Sequence, residues 1–122
     1  MQKTKEFYDI FMVPLWRKWF LIDSSVIGYK AQDQTHLFFA QVEEEYAGAG
    51  FHRKQIGLNH LAFRVESADA VDEIAAYLVN KNITLLYSDR SRDYAEEYGM
   101  KEYYAIFCED PDRIKVEVVC CK

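Results

Sequence analysis

The sequence predicts an α+β protein in which one plan is used twice: a strand, a helix and three further strands, with the opening strand absent from the first copy. Three observations predict it. The second half runs through strand, helix and three strands in that order, and the first half repeats the order from its helix onward. The 122 residues suit one domain, yet fall about one strand short of two full copies. The expected organisation is a single domain over 1–122, with an N-terminal half-module over 4–46, a connector over 47–56 and a C-terminal module over 57–122.

The second half is the clearer copy. Leu58 to Val65 alternates as a strand does, with His60, Ala62 and Arg64 on one side and Leu61, Phe63 and Val65 on the other. Ser67 can cap the following helix, where Val71, Ile74, Ala75 and Leu78 recur at helical spacing and Asp69, Asp72 and Glu73 suit its positive end. Asn80-Lys81-Asn82 supplies the stop, because asparagine tolerates positive φ. Strands follow over Ile83 to Tyr87, Tyr103 to Cys108 and Ile114 to Cys120, the last two joined by the turn Asp110-Pro111-Asp112-Arg113. Between the first and second of these lies a polar stretch from Ser88 to Met100, read either as a lid carrying Tyr94 and Tyr98 or as a plain crossover.

In the first half, Thr4 can cap a helix whose stripe is Phe7, Tyr8, Phe11 and Met12, ending before Pro14. Trp19 to Ile22, Val26 to Tyr29 and Leu37 to Val42 read as strands, and Ala47-Gly48-Ala49-Gly50 as a connector.

Composition excludes several function classes. A formal net charge of −5, with the basic residues scattered, argues against nucleic acid and anionic membranes as partners. No stretch approaches the roughly 20 apolar residues of a membrane helix, and the apolar stretch near the N-terminus is interrupted by Asp9, Pro14, Arg17 and Lys18. Three cysteines, Cys108, Cys120 and Cys121, show no disulfide-framework spacing and fit a reduced, cytoplasmic protein. The neighbouring Cys120 and Cys121 lie on a strand, so one should face the core and the other outward. The acidic runs Glu43-Glu44-Glu45 and Glu96-Glu97 read as solvated loops.

The block Asn59-His60-Leu61-Ala62-Phe63-Arg64-Val65, the Val71-Asp72 pair and the run from Tyr103 to Val119, with its Asp110-Pro111-Asp112 turn and central Glu117, resemble the vicinal-oxygen-chelate superfamily of glyoxalase, bleomycin-resistance and extradiol-dioxygenase proteins. Phe7-Tyr8 and Ile27-Gly28-Tyr29 resemble the matching parts of its other module, more weakly. The resemblance implies two βαβββ modules whose curled mixed sheet forms a central cup around a small-molecule site. Where the family commonly has Gly after Asp-Pro-Asp, this chain has Arg113. Either the turn is of a plainer type or it tolerates strain of about 1 kcal/mol.

The resemblance also implies metal ligands on the concave face, one from the first and one from the last strand of each module. His60 and Glu117 match those positions in the second module. Parity agrees: with Leu61, Phe63 and Val65 turned to the helix, His60 faces away from it, and Ile114, Val116 and Val118 leave Lys115, Glu117 and Val119 on the same far side. An imidazole and a carboxylate suit a divalent Zn, Ni, Mn or Fe ion. In the first module the opening-strand ligand has no counterpart and the closing position falls on Phe38 or Ala40, neither of which binds metal; only His36, on the same strand face, offers a substitute. Arg64 and Tyr104 are further candidates for the cavity, Tyr104 on condition that the Asp110–Arg113 turn keeps it on the face of Glu117.

Three functions compete. A non-catalytic small-molecule binder fits the incomplete ligand set and an aromatic surface, with the acidic net charge favouring cationic or aromatic guests. A metal-dependent lyase, isomerase or dioxygenase would use His60 and Glu117, with Glu117 moving a proton. An oligomeric scaffold, expected as a homodimer, would cover the edge that the absent strand leaves open. The alternative fold, a ferredoxin-like domain, would space its helices more evenly among the strands.

Overall fold

The structure, a computed structural model, describes residues 1–15, 18–87, 99 and 101–122, with 11–15 and 18–22 as backbone alone. It is α+β and falls into two compact units, Met1–Phe51 and His52–Lys122. Among the described residues no helix is long and apolar enough to cross a membrane.

In the first unit, helix α1 (Gln2–Leu15) is followed by strands β1 (Lys18–Asp23), β2 (Val26–Lys30) and β3 (His36–Ala40), paired antiparallel in the order β1-β2-β3. The helix starts three residues earlier than the Thr4 cap predicts, and Thr4 lies buried within it. At the other end it runs one residue beyond Pro14, since a proline disfavours helical geometry in the residue before it without forbidding it. Phe7 and Tyr8 of the predicted stripe are buried; the side chains of Phe11 and Met12 lie outside those described. Tyr8 packs on Phe39 with ring centroids 4.2 Å apart, and Ile27 and Tyr29 of β2 complete this core. The Tyr29 hydroxyl donates to Asp9 Oδ1 at 2.9 Å, while Lys5 pairs with Asp9 Oδ2.

Strand β3 stops at Ala40 rather than Val42, and a 3₁₀ turn over Glu44–Ala49 takes up part of the acidic run read as loop. Gln41 still donates to the Ser25 carbonyl at 2.6 Å, so the chain leaves the sheet just past the β1–β2 hairpin. That hairpin is held by Asp23, whose Oδ1 accepts from the Ser25 amide at 2.6 Å and from its hydroxyl at 2.5 Å. Both bonds hold the Asp23 carboxyl below the usual carboxylate range.

In the second unit, β4 (His60–Arg64), α2 (Ala68–Asn80), β5 (Tyr103–Glu109) and β6 (Lys115–Cys121) form a mixed sheet in the order β4-β6-β5. β6 is central, parallel to β4 and antiparallel to β5. A parallel pair needs a long crossover, and α2 lies within it. Ser67 caps α2 by accepting from the Ala70 amide at 3.1 Å, and Asn82 takes φ 60° after its end, as the sequence predicts. Val71, Ala75 and Leu78 of α2, which packs on β5 and β6, are buried, as are Phe63, Val116 and Val118 of the sheet. Cys120 is buried and Cys121 half-buried, matching the expected division of the pair.

The expected strand over Ile83 to Tyr87 is reduced to a single bridge, Leu85 to Cys108, supported by the Leu86 amide donating to the Phe107 carbonyl at 2.8 Å. The long stretch that would carry Tyr94 and Tyr98 lies outside the described residues. Arg113 adopts φ 68°, so the turn is the strained type rather than the plainer one. Asp110 holds it by accepting from the Asp112 and Ile114 amides at 2.9 and 2.8 Å.

Candidate functional site

The pairing register divides the second sheet into two faces. Leu61, Phe63, Val116, Val118, Cys120, Tyr104, Ile106 and Cys108 share the α2 face; the other carries His60, Ala62, Arg64, Lys115, Glu117, Val119, Tyr103, Ala105, Phe107 and Glu109. His60 and Glu117 share this second face, and they meet.

Glu117 is 5% exposed. A carboxylate that deep is costly unless both oxygens find donors. His60 Nε2 lies 3.0 Å from Glu117 Oε2, and the Tyr103 hydroxyl donates to Oε1. His60 is steered in turn by its neighbour in sequence, with Nδ1 2.8 Å from Asn59 Oδ1. A polar group beside Nδ1 sets the orientation of the ring and keeps Nε2 facing Glu117.

Phe107, the register partner of Glu117, forms the apolar floor beside this cluster. His60 and Tyr87 meet it edge-on, at centroid distances of 6.5 and 5.3 Å, and Lys115 Nζ lies 5.1 Å from its ring centroid. Glu109 pairs with Arg53 and, at 3.6 Å, with Arg113 Nε. Arg64 shares the face, but its guanidinium donates to the Cys121 carbonyl at 2.7 Å.

Tyr104 is not on this face. It pairs with Cys120 and donates to Asp72 Oδ1 of α2 at 3.0 Å. The β5–β6 ladder is regular from Glu109–Lys115 to Tyr103–Cys121, so odd residues pair with odd ones and Tyr103 takes the place expected of Tyr104. The turn length carried that information: a hairpin closing Glu109 on Lys115 without a bulge fixes the parity. Tyr103 and Asn59 are thus the site residues that sequence reasoning missed.

His36, Phe38 and Ala40 share the exposed face of β3, as their spacing predicts, with His36 stacked on Phe38 at 6.0 Å. They belong to the Met1–Phe51 unit, so no unit by itself holds them together with His60 and Glu117. Among the described residues no three His, Cys, Asp or Glu side chains gather where they could hold a metal ion. Among the described residues of its own unit Glu117 has one other metal-binding side chain at hand, His60, and two donors fall below the three or four that a zinc-type site uses. The described residues of this unit therefore do not by themselves make up a complete metal centre.

No family model matches the chain. The uncharacterized protein YqjT of Bacillus subtilis is 40% identical over 119 residues, covering 98% of this chain and 89% of its own. A Bacillus halodurans crystal structure described as a "putative glyoxalase" is 38% identical, with a TM-score of 0.83 over 98% of this chain and 86% of that one. A glyoxylase/bleomycin resistance protein/dioxygenase domain from Frankia shares the fold at 14% identity, with a TM-score of 0.69 over 100% of this chain and 89% of that one. With a sequence relative and full-length structural neighbours of one kind, the chain belongs to the glyoxalase/bleomycin-resistance/dioxygenase, or vicinal-oxygen-chelate, superfamily.

Proposed function

We propose that the protein binds a small molecule on the sheet face built around Glu117, through polar side chains rather than a complete metal centre of its own. The observation that carries this reading is the state of the Glu117 carboxylate: one oxygen beside His60, the other accepting from Tyr103, within a largely buried position. Such a cluster is already satisfied without an ion. It offers a guest an imidazole edge, a phenol oxygen and an aromatic floor at Phe107, the mixture of apolar wall and few polar groups that small-molecule sites use.

The second reading, a lyase, isomerase or dioxygenase with Glu117 as the proton-moving group, is favoured by the same convergence of an imidazole and a carboxylate. It needs a further donor, for which His36 or the substrate itself is the candidate. Arg64, Phe38 and Ala40 remain substrate-binding candidates under either reading.

A homodimer is part of the proposal, supported by β3, whose outer edge pairs with no strand among the described residues. So is a cytoplasmic location, which three unpaired cysteines suit.

Elemental analysis of natively purified protein, with light scattering on the same sample, tests these readings together. The binding reading expects less than stoichiometric Zn, Ni, Mn and Fe, and a dimer mass. One ion per chain, lost in Glu117→Gln, would establish the metal-dependent reading instead.

A further inference from the structure

The chain as a whole is acidic, with a formal net charge of −5, and by itself that favours a cationic guest. Among the described residues the candidate face has the opposite balance. Arg53, Arg64, Arg113 and Lys115 lie on it or at its rim, against the carboxylates of Glu109 and Glu117. Both carboxylates are engaged: Glu109 by Arg53 and Arg113, Glu117 by His60 and Tyr103. Arg64 is tied to a backbone carbonyl.

Lys115 differs. Its register partners are His60 on one side and Glu109 on the other, yet its ammonium lies over the Phe107 ring, and among the described residues it makes no ion pair. An ammonium held on an aromatic ring keeps donors to spare, and it is half-buried, where a charge is screened less than on the open surface. A guest lying on Phe107 would bring one end to Lys115 and the other to the His60–Glu117–Tyr103 cluster.

From this arrangement we infer that the ligand is a small anion, an aromatic or apolar body bearing a carboxylate that pairs with Lys115 Nζ while its ring covers Phe107. The inference rests on the binding reading above and names its ligand class. A cationic guest would meet Lys115 at close range, with neither carboxylate free to receive it. The charge of the face thus reverses the expectation drawn from net charge: local arrangement, not the sum over the chain, decides which sign is bound.

Three probes of similar body and different head test this: phenylacetate, 2-phenylethanol and 2-phenylethylammonium, each titrated at millimolar concentration into the ¹⁵N-labelled full chain. Amide shifts along β4, β5 and β6 report binding. Phenylacetate is expected to bind tightest and to weaken as salt is added. Lys115→Gln should weaken it about tenfold, the loss of one charge-assisted contact, and Lys115→Arg should keep most of it. 2-Phenylethanol should respond little to either change, which separates loss of charge from loss of fold. Equal or tighter binding of the ammonium probe, or unchanged phenylacetate binding in Lys115→Gln, would overturn the anion assignment and leave the binding face standing. Silence of the β4–β6 amides towards all three probes would overturn both.

Discussion

His60 reaches Glu117 diagonally across two parallel strands. Its direct register partner is Lys115, and the residue opposite Glu117 is Ala62. A side chain as small as alanine at that position leaves room for the imidazole to lean over and bring Nε2 to 3.0 Å from Oε2. The pairing of a metal-binding residue type with a nearly buried carboxylate is therefore a consequence of the strand register and of one small neighbour.

A double-mutant cycle on this pair is the first test. His60→Ala and Glu117→Gln, alone and together, should show a coupling of about 1–2 kcal/mol in urea unfolding. Tyr103→Phe should cost about 1–3 kcal/mol, because it leaves Oε1 of a buried carboxylate without its donor. Additive effects of the His60 and Glu117 changes would show that their closeness carries no energy. A Tyr103→Phe variant as stable as the parent would show the same of the phenol.

Most of the second unit was legible in the sequence because its signals are local. Alternation from Leu58 to Val65, helical spacing from Val71 to Leu78 and the Ser67 cap each act within a few residues, and all three appear in the structure, the strand shortened to His60–Arg64. The placement of His60 and Glu117 on one face followed from parity alone. Tyr104 was misplaced because its face depends on the span of the Asp110–Ile114 turn, which couples two strands and is not a property of either. Asn59 was overlooked as a site residue for a different reason: a side chain that orients its neighbour leaves no periodic trace. Ile83 to Tyr87 looked like a full strand by composition, but the described pairing amounts to one bridge, since pairing is decided by the partner edge. His36 shares a strand face with Phe38 and Ala40, yet strand-face parity says nothing about whether a residue of one compact unit meets those of another.

The cysteines should divide by environment. Burial, with a smaller effect of the Asp110 carboxylate, pushes the Cys108 thiol up to about 12. The thiolate is the reactive form, so Cys108 should resist alkylation at neutral pH. Cys120 is equally buried, whereas Cys121 is half-exposed. Brief iodoacetamide treatment of native protein followed by peptide mass spectrometry should find label on Cys121 and little on the other two. Equal labelling of all three without denaturant would contradict the packing of Cys108 and Cys120 against α2.

Tyr29 predicts an alkaline weakness in the first unit. Burial first, and then its bond to the Asp9 carboxylate, hold its phenol above the ordinary value of 10.0. A group that keeps its proton more tightly when folded contributes stability that is whole below that value and is lost as pH rises above it. Tyr29→Phe should cost about 1 kcal/mol at neutral pH, Asp9 retaining Lys5 as partner. Above the ordinary tyrosine value, unfolding measurements should show the parent losing stability faster than the variant. Parallel losses in the two proteins would mean that another group governs the alkaline limb.

Arg113 offers a gain rather than a loss. It holds φ 68° in a turn whose other contacts, the Asp110 carboxylate on two amides and the Arg113 amide on the Asp110 carbonyl at 3.0 Å, are made by Asp110 and by backbone. The left-handed region costs a side-chain-bearing residue about 1–2 kcal/mol, and glycine enters it freely at the expense of some unfolded-state entropy. The arginine side chain returns little, because its contact with Glu109 is 3.6 Å long and the side chain is 59% exposed. Arg113→Gly should therefore stabilise the chain by about 0.5–1 kcal/mol in urea unfolding, with the Asp110→Ala control destabilising it by releasing two amides. If the glycine variant is instead less stable, the Arg113 side chain contributes more to the Glu109 corner than its geometry implies, and that corner, with Arg53, becomes the next place to measure.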